Sequence, residues 1–110
     1  MSPDTLPRLR AAIGTPVNSP EDAATHSRLT EEALEGGNLQ GKSRAEVEGL
    51  IGRGDPCSRH PQCEEQGFAD GDWFYTVGTL GAAHTALPVF IVGFDRQGRV
   101  ARTWNLRVHD

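Results

Sequence analysis

The chain has 110 residues, 36% of them hydrophobic, with thirteen glycines and seven prolines. That composition describes one domain with a modest core and long connections, and it leaves no room for a second. Fifteen acids against eleven bases give a net charge of −4 with no basic run, which argues against a nucleic-acid partner, and no apolar stretch approaches the ~20 residues of a membrane span.

Residues 1–18 carry Leu6, Leu9 and Ile13 at helical spacing, with Gly14 as a stop and Pro3, Pro7 and Pro16 crowding the segment. They are expected to form an N-terminal arm with a transient helix, residues 19–110 being the folded domain. Its first start signal is Ser19-Pro20-Glu21-Asp22. Ser19 can accept from a free amide, Pro20 suits the first helical position, and the acids complement the positive end of the helix dipole. Leu29, Ala33 and Leu34 give this helix an apolar second half, and Gly36-Gly37 ends it.

A second helix opens at Ser43. With Glu46 it forms the S-x-x-E capping box, in which each side chain satisfies the other's free backbone amide. Val47, Leu50 and Ile51 then make a compact stripe before Gly52 and Pro56 end it. Residues 53–71 read as loop. Asp72 to Val77 is a first strand, with Trp73, Tyr75 and Val77 alternating against Phe74 and Thr76. A Gly- and Ala-rich loop follows at 78–86, and Val89 to Phe94 is apolar on both faces, as a central strand is.

Phe94 to Val100 turns the last hairpin. A type I turn with Gly98 in the left-handed region sets Asp95 against Arg99 and Phe94 against Val100. In that register Phe90, Val92 and Phe94 share a face with Val100, Trp104 and Leu106, and Arg102 is the one polar intrusion. The expected fold is thus α+β in two layers, with two helices on a three-stranded antiparallel meander. The opposite face carries Val89, Ile91, Ala101, Thr103, Asn105 and Arg107, joined by Phe74 and Thr76. It is too apolar for an idle surface, so it needs a cover: the Leu6/Leu9/Ile13 segment, a second copy making a homodimer through the sheet face, or another protein. Phe74, Thr76, Val89, Ile91, Thr103 and Asn105 are the expected partner-binding face.

Cys57 and Cys63 flank a turn-rich loop that can bring their Cα atoms within disulfide range. A disulfide is the expected reading, and free thiols or a metal pair recruiting His60 are the alternatives. A disulfide favours the periplasm or an extracellular setting.

The order helix, helix, three antiparallel strands carries a family resemblance. Leu39-Gln40-Gly41-Lys42-Ser43-Arg44-Ala45-Glu46-Val47, Ile51-Gly52 to Pro56, Tyr75-Thr76-Val77-Gly78 and the run from Leu87 to Val100 resemble, in succession, the motifs of the BamE-like (SmpA/OmlA) domain. That domain is also the repeat unit of the β-lactamase inhibitory protein fold. The resemblance spans about residues 28–108, with the Cys57–Cys63 segment as an insertion. It implies a non-enzymatic, lipoprotein-like domain of the bacterial envelope that binds other proteins, in outer-membrane assembly or envelope maintenance. The alternative it implies is an inhibitor or immunity protein that blocks an enzyme or toxin, for which net acidity suits a basic cleft. Met1 to Pro7 lacks the basic and apolar regions of a signal peptide, and no lipidation cysteine lies near Met1. The expected location is periplasmic or outer-membrane associated if a signal segment has been removed, and cytoplasmic otherwise.

No catalytic residue, metal ligand set or cofactor is expected. His26, His60, His84 and His109 show no metal spacing. Ser43 is a cap and Asp70-Gly71-Asp72 a turn signal. Arg53-Gly54-Asp55 spells an adhesion tripeptide but sits where a helix must become a loop. Trp73 and Trp104 read as core aromatics rather than stacking platforms.

Overall fold

A computed structural model describes residues 5–81 and 87–106; His84, Arg107, His109 and the side chain of Leu106 lie outside what it describes. The fold is α+β. The helices are α1 (Thr5–Ile13), α2 (Pro20–Glu35), α3 (Arg44–Ile51) and the short α4 (Pro61–Glu65). The strands are β1 (Pro16–Val17), β2 (Asp55–Pro56), β3 (Trp73–Thr76), β4 (Thr79–Leu80), β5 (Val89–Phe94) and β6 (Val100–Leu106). The main sheet is antiparallel in the order β2-β3-β5-β6, so the expected meander gains a two-residue edge strand, while β1 and β4 form a separate parallel pair.

From Thr5 onward the N-terminal segment is docked on the domain and is not an arm. Leu9 is fully buried, Ala12 nearly so, and α1 packs on α2 and α3. Pro7 lies in the first turn, where its missing amide would have had no intrahelical partner. Pro16 falls beyond Gly14, in β1. Helix α2 begins as expected, with Ser19 Oγ accepting from the Asp22 amide at 3.1 Å. It packs along its whole length rather than by its second half, because Ala23 and His26 are buried as well as Leu29 and Ala33.

Helix α3 is held by its cap. Ser43 Oγ accepts from the Glu46 amide at 3.2 Å, and Glu46 accepts from the Ser43 amide at 3.0 Å. These bonds hold the Glu46 carboxyl below the ordinary range for glutamate. Its contribution to stability is therefore present above the unfolded-state pKa and disappears as pH falls through the lower folded value. Ser43→Ala should lose about 1 kcal/mol in urea titration and should also flatten the acid limb of the stability curve from the ordinary glutamate pKa downward.

One core lies between the helices and the sheet, where Leu9, Leu29, Ala33, Val47 and Ile51 meet Tyr75, Val77, Phe90 and Val92. Tyr75 and Phe90 stack with ring centroids 4.5 Å apart. The Tyr75 hydroxyl donates to the Gly52 carbonyl at 2.7 Å, and burial pushes its pKa far up. A second cluster sits on the other side of the sheet, so the molecule has helices on one face and a covering loop on the other.

Candidate functional site

The hairpin register is the expected one. The Gly98 amide donates to the Asp95 carbonyl, the Asp95 amide donates to Arg99, and Gly98 has φ +76°. Phe94 stands opposite Val100. Two residues later the expectation fails. The ladder shifts at Gly93/Phe94, and Ala101 is the extra residue of a bulge that sets Gly93 against Arg102, Val92 against Thr103, Ile91 against Trp104 and Phe90 against Asn105. Every side chain beyond the bulge changes face.

Thr103 and Asn105 therefore leave the expected partner-binding face and lie on the helix side, beside Val92 and Phe90. Trp104 and Arg102 move the other way. The cause is a hook formed by residues 40–44. Gly41 donates to the Val100 carbonyl, Val100 donates to Lys42, Arg44 donates to Gly98, and Gln40 Nε2 reaches the Ala101 carbonyl at 3.0 Å. Val100 and Ala101 both turn toward this hook, and two consecutive residues facing one way define a bulge.

The outer face itself is covered, by neither of the covers expected within or between copies. A 3₁₀ turn (Cys57–Arg59), α4 and the following loop fold over it. Cys57 and Cys63 form a disulfide with Cα atoms 5.6 Å apart. With Phe68 they bury Phe74 and Val89 almost completely and Ile91 fully. Of the expected partner face, only Thr76 remains partly open on this side, with the neighbouring Trp104 half-buried. The chain thus fills the face that a homodimer through it would need.

Four features seat this lid. Gly67 (φ +78°) ends α4 in a Schellman motif, its amide donating to Glu64 while Phe68 donates to Cys63, and this turns Phe68 inward. Gly93 makes room, since a Cβ there would lie 2.8 Å from Cε1 of the Phe68 ring. Arg102 spreads over that ring with its Cζ 4.1 Å from the centroid and donates to the Gly67 carbonyl. Its place is therefore a clamp on the lid rather than an intrusion in the helix-side core. Finally, His60 stacks on Phe74 at 3.9 Å and its Nε2 lies 3.3 Å from Asp55 Oδ2. His60 thus meets a carboxylate and a ring, and among the described residues no group of three or more potential metal ligands forms.

Where the lid ends, a cleft of about 190 Å³ opens, lined by Ile13, Arg53, Gly54, Asp55, Phe74, Tyr75 and Thr76. It exists because β2 is so short. Asp55 pairs with Phe74 and Pro56 with Trp73. One pair further out, Thr76 turns its main-chain N–H and C=O toward the same edge, by the alternation that points the Asp72 carbonyl at the Cys57 amide. Among the described residues no loop amide or carbonyl bonds to Thr76 there. Gly54 is buried, because a Cβ at that position would fall 2.7 Å from Trp73 Cβ and 2.8 Å from Tyr75 Cε1. Arg53 and Asp55 stay exposed at the mouth. The tripeptide is thus an edge segment packed through its glycine, with Asp55 engaged by His60.

The lid and cleft were missed in the sequence, although two signals were present. Pro61 at the first turn and Gly67 just past the last bracket a helix, and a glycine inside an apolar strand, Gly93, marks a close approach. No family model, curated protein or solved structure matches this chain.

Proposed function

We propose that this chain is a non-enzymatic protein-interaction domain of the bacterial cell envelope, of the outer-membrane assembly or envelope-maintenance type. The observation that carries the reading is the cleft at the β2–β3 edge. An open main-chain donor and acceptor at Thr76, an apolar floor in Phe74 and Ile13, and opposite charges at Arg53 and Asp55 suit an extended segment of a partner protein that adds to β3. The Cys57–Cys63 bond suits an oxidising compartment. The BamE-like resemblance of the Leu39–Val47 and Leu87–Val100 runs points to the same setting. Among the described residues no helix is long and apolar enough to cross a membrane.

The test is capture of partners from a periplasmic extract by wild type, Arg53→Glu and Thr76→Pro. The proline removes an outward amide while leaving the bonds to β5 in place. Each variant should retain less than about a tenth of the captured partner, the 1.4 kcal/mol that a tenfold change represents. Equal capture by all three would remove the cleft as the binding site. A second reading, an inhibitor or immunity protein, draws on the net charge of −4. It predicts one-to-one loss of a target enzyme's activity on mixing.

A further inference from the structure

Strand β6 has two halves with different fates. Its first half is paired on both sides, by β5 and by the residue 40–44 hook. Its second half has β5 alone. Which groups point outward follows from the alternation. The Pro88 carbonyl and Phe94 amide face the β3 side, and the Asp95 amide faces β6. Residues 89, 91 and 93 therefore bond to their partners 106, 104 and 102. Thr103 and Asn105 are left presenting N–H and C=O to the open edge, and among the described residues no loop amide or carbonyl meets them. Such an edge usually carries a lysine, a proline or a cover. Residues 103–105 include no lysine or proline, and among the described residues no strand or loop backbone pairs with their outer side.

Two further observations fall on the same three residues. Trp104 is only half-buried, at the margin of the lid cluster. Asn105 Nδ2 is buried and has no hydrogen-bond partner, and a buried donor left so is costly by about 1–3 kcal/mol. The geometry points to a second copy of this chain as the occupant of the edge, with the two β6 strands pairing antiparallel about a two-fold axis through Trp104.

That operator is self-complementary. It sets Thr103 against the partner's Asn105 and Asn105 against the partner's Thr103, both as hydrogen-bonded pairs, so the four outward main-chain groups of each copy are satisfied together. Trp104 meets its own equivalent as the close, non-hydrogen-bonded pair, at ~4.5 Å between Cα atoms. On the opposite face the partner's Thr103 comes directly across from Asn105, and a turn of the Asn105 side chain brings its orphaned Nδ2 out to that hydroxyl. A strand of other sequence would satisfy the main chain alone. The hook limits pairing to residues 102–106, so the contact is short and the dimer should be concentration-dependent. The inference stands on β6 and makes no use of the cleft.

Sedimentation equilibrium of the full chain from micromolar to millimolar concentration tests it, together with amide hydrogen exchange at both extremes. A monomer–dimer equilibrium is expected, with protection of the Thr103 and Asn105 amides rising with concentration. Thr103→Pro removes an outward amide only, so it should weaken dimerisation at least tenfold while its melting temperature stays within a few degrees of wild type. A Thr103→Pro chain that does not fold would be replaced by Asn105→Pro, which tests the other outward amide. Three results would overturn the proposal: a monomer throughout the range, a dimer that ignores both prolines, or amides at 103 and 105 protected only when a foreign extended peptide is added.

Discussion

Replacing Cys57 and Cys63 together with alanine should lower the melting temperature by on the order of 10 °C and expose the outer face of the sheet. The chain-entropy estimate for a ring this short is roughly 2 kcal/mol, which in a domain of this size moves the midpoint by several degrees per kcal/mol. The larger consequence is local. The disulfide joins the start of the 3₁₀ turn to α4, and both sulfurs belong to the cluster over Phe74, Val89 and Ile91. A helix of five residues has no stability of its own, so without the covalent tie the lid depends on Phe68, the Arg102 clamp and the His60 stack. Opening it bares a contiguous apolar patch, and the variant should bind a hydrophobic dye strongly and aggregate at concentrations where wild type does not. The helix-side core shares no residue with the lid cluster, so far-UV circular dichroism and amide protection at Val47 and Phe90 should persist well below the midpoint. Reduction of the wild type should reproduce both effects. An oxidised and a reduced protein with the same dye binding and the same melt would show that the noncovalent contacts alone hold the lid.

What could be read from sequence was local. Ser43 and Glu46, Ser19 and Pro20, and Asp95 to Arg99 each encode a hydrogen-bond pattern within five residues, and each forms as its residues dictate. The Leu6, Leu9, Ile13 spacing likewise announced a helix. Its docking on α2 and α3 depends on surfaces far away in the chain, which no local signal reports. The bulge at Ala101 is the sharpest instance. The hairpin alone predicts an undistorted ladder to Leu106, and the ladder breaks because residues 40–44, some sixty positions earlier, bond to Val100 and Ala101. A period-2 pattern carries no record of an inserted residue, so the face assigned to Thr103, Trp104 and Asn105 was reversed. The need for a cover over Ile91 was correctly legible from composition. Its source was not, since a loop of Cys, Asp, Gly and Glu residues gives little hint that Phe68 will be driven under Arg102.

Asp72 should prove the most sensitive polar residue in the chain, and Asp72→Ala should lose about 2–4 kcal/mol in urea titration. The side chain is nearly buried and its two oxygens serve different elements, Oδ2 accepting from the Ala69 amide at 2.9 Å and Oδ1 from the Phe94 amide at 3.0 Å. The second bond is the telling one. Phe94 ends β5 two residues beyond the last β3 pair, so its amide faces the β3 side with no strand opposite, and the carboxylate stands where a carbonyl of β3 would be. The first bond closes the turn that returns the lid to β3, and the Asp72 carbonyl takes the Cys57 amide at 2.9 Å. One residue thus fixes the end of the sheet and both ends of the lid. Asparagine has nearly the same shape but only one accepting oxygen, and its NH₂ would confront a second N–H. Asp72→Asn should therefore fall between wild type and alanine, and stability of that variant equal to wild type would defeat the assignment. The decisive measurement combines the two predictions. If Asp72 and the disulfide both act by holding the lid, Asp72→Ala should be less damaging in the Cys57→Ala/Cys63→Ala background than alone, with a coupling energy of at least about 0.5 kcal/mol. Strict additivity would mean that Asp72 stabilises the sheet edge through Phe94 and that the lid is governed by its cysteines.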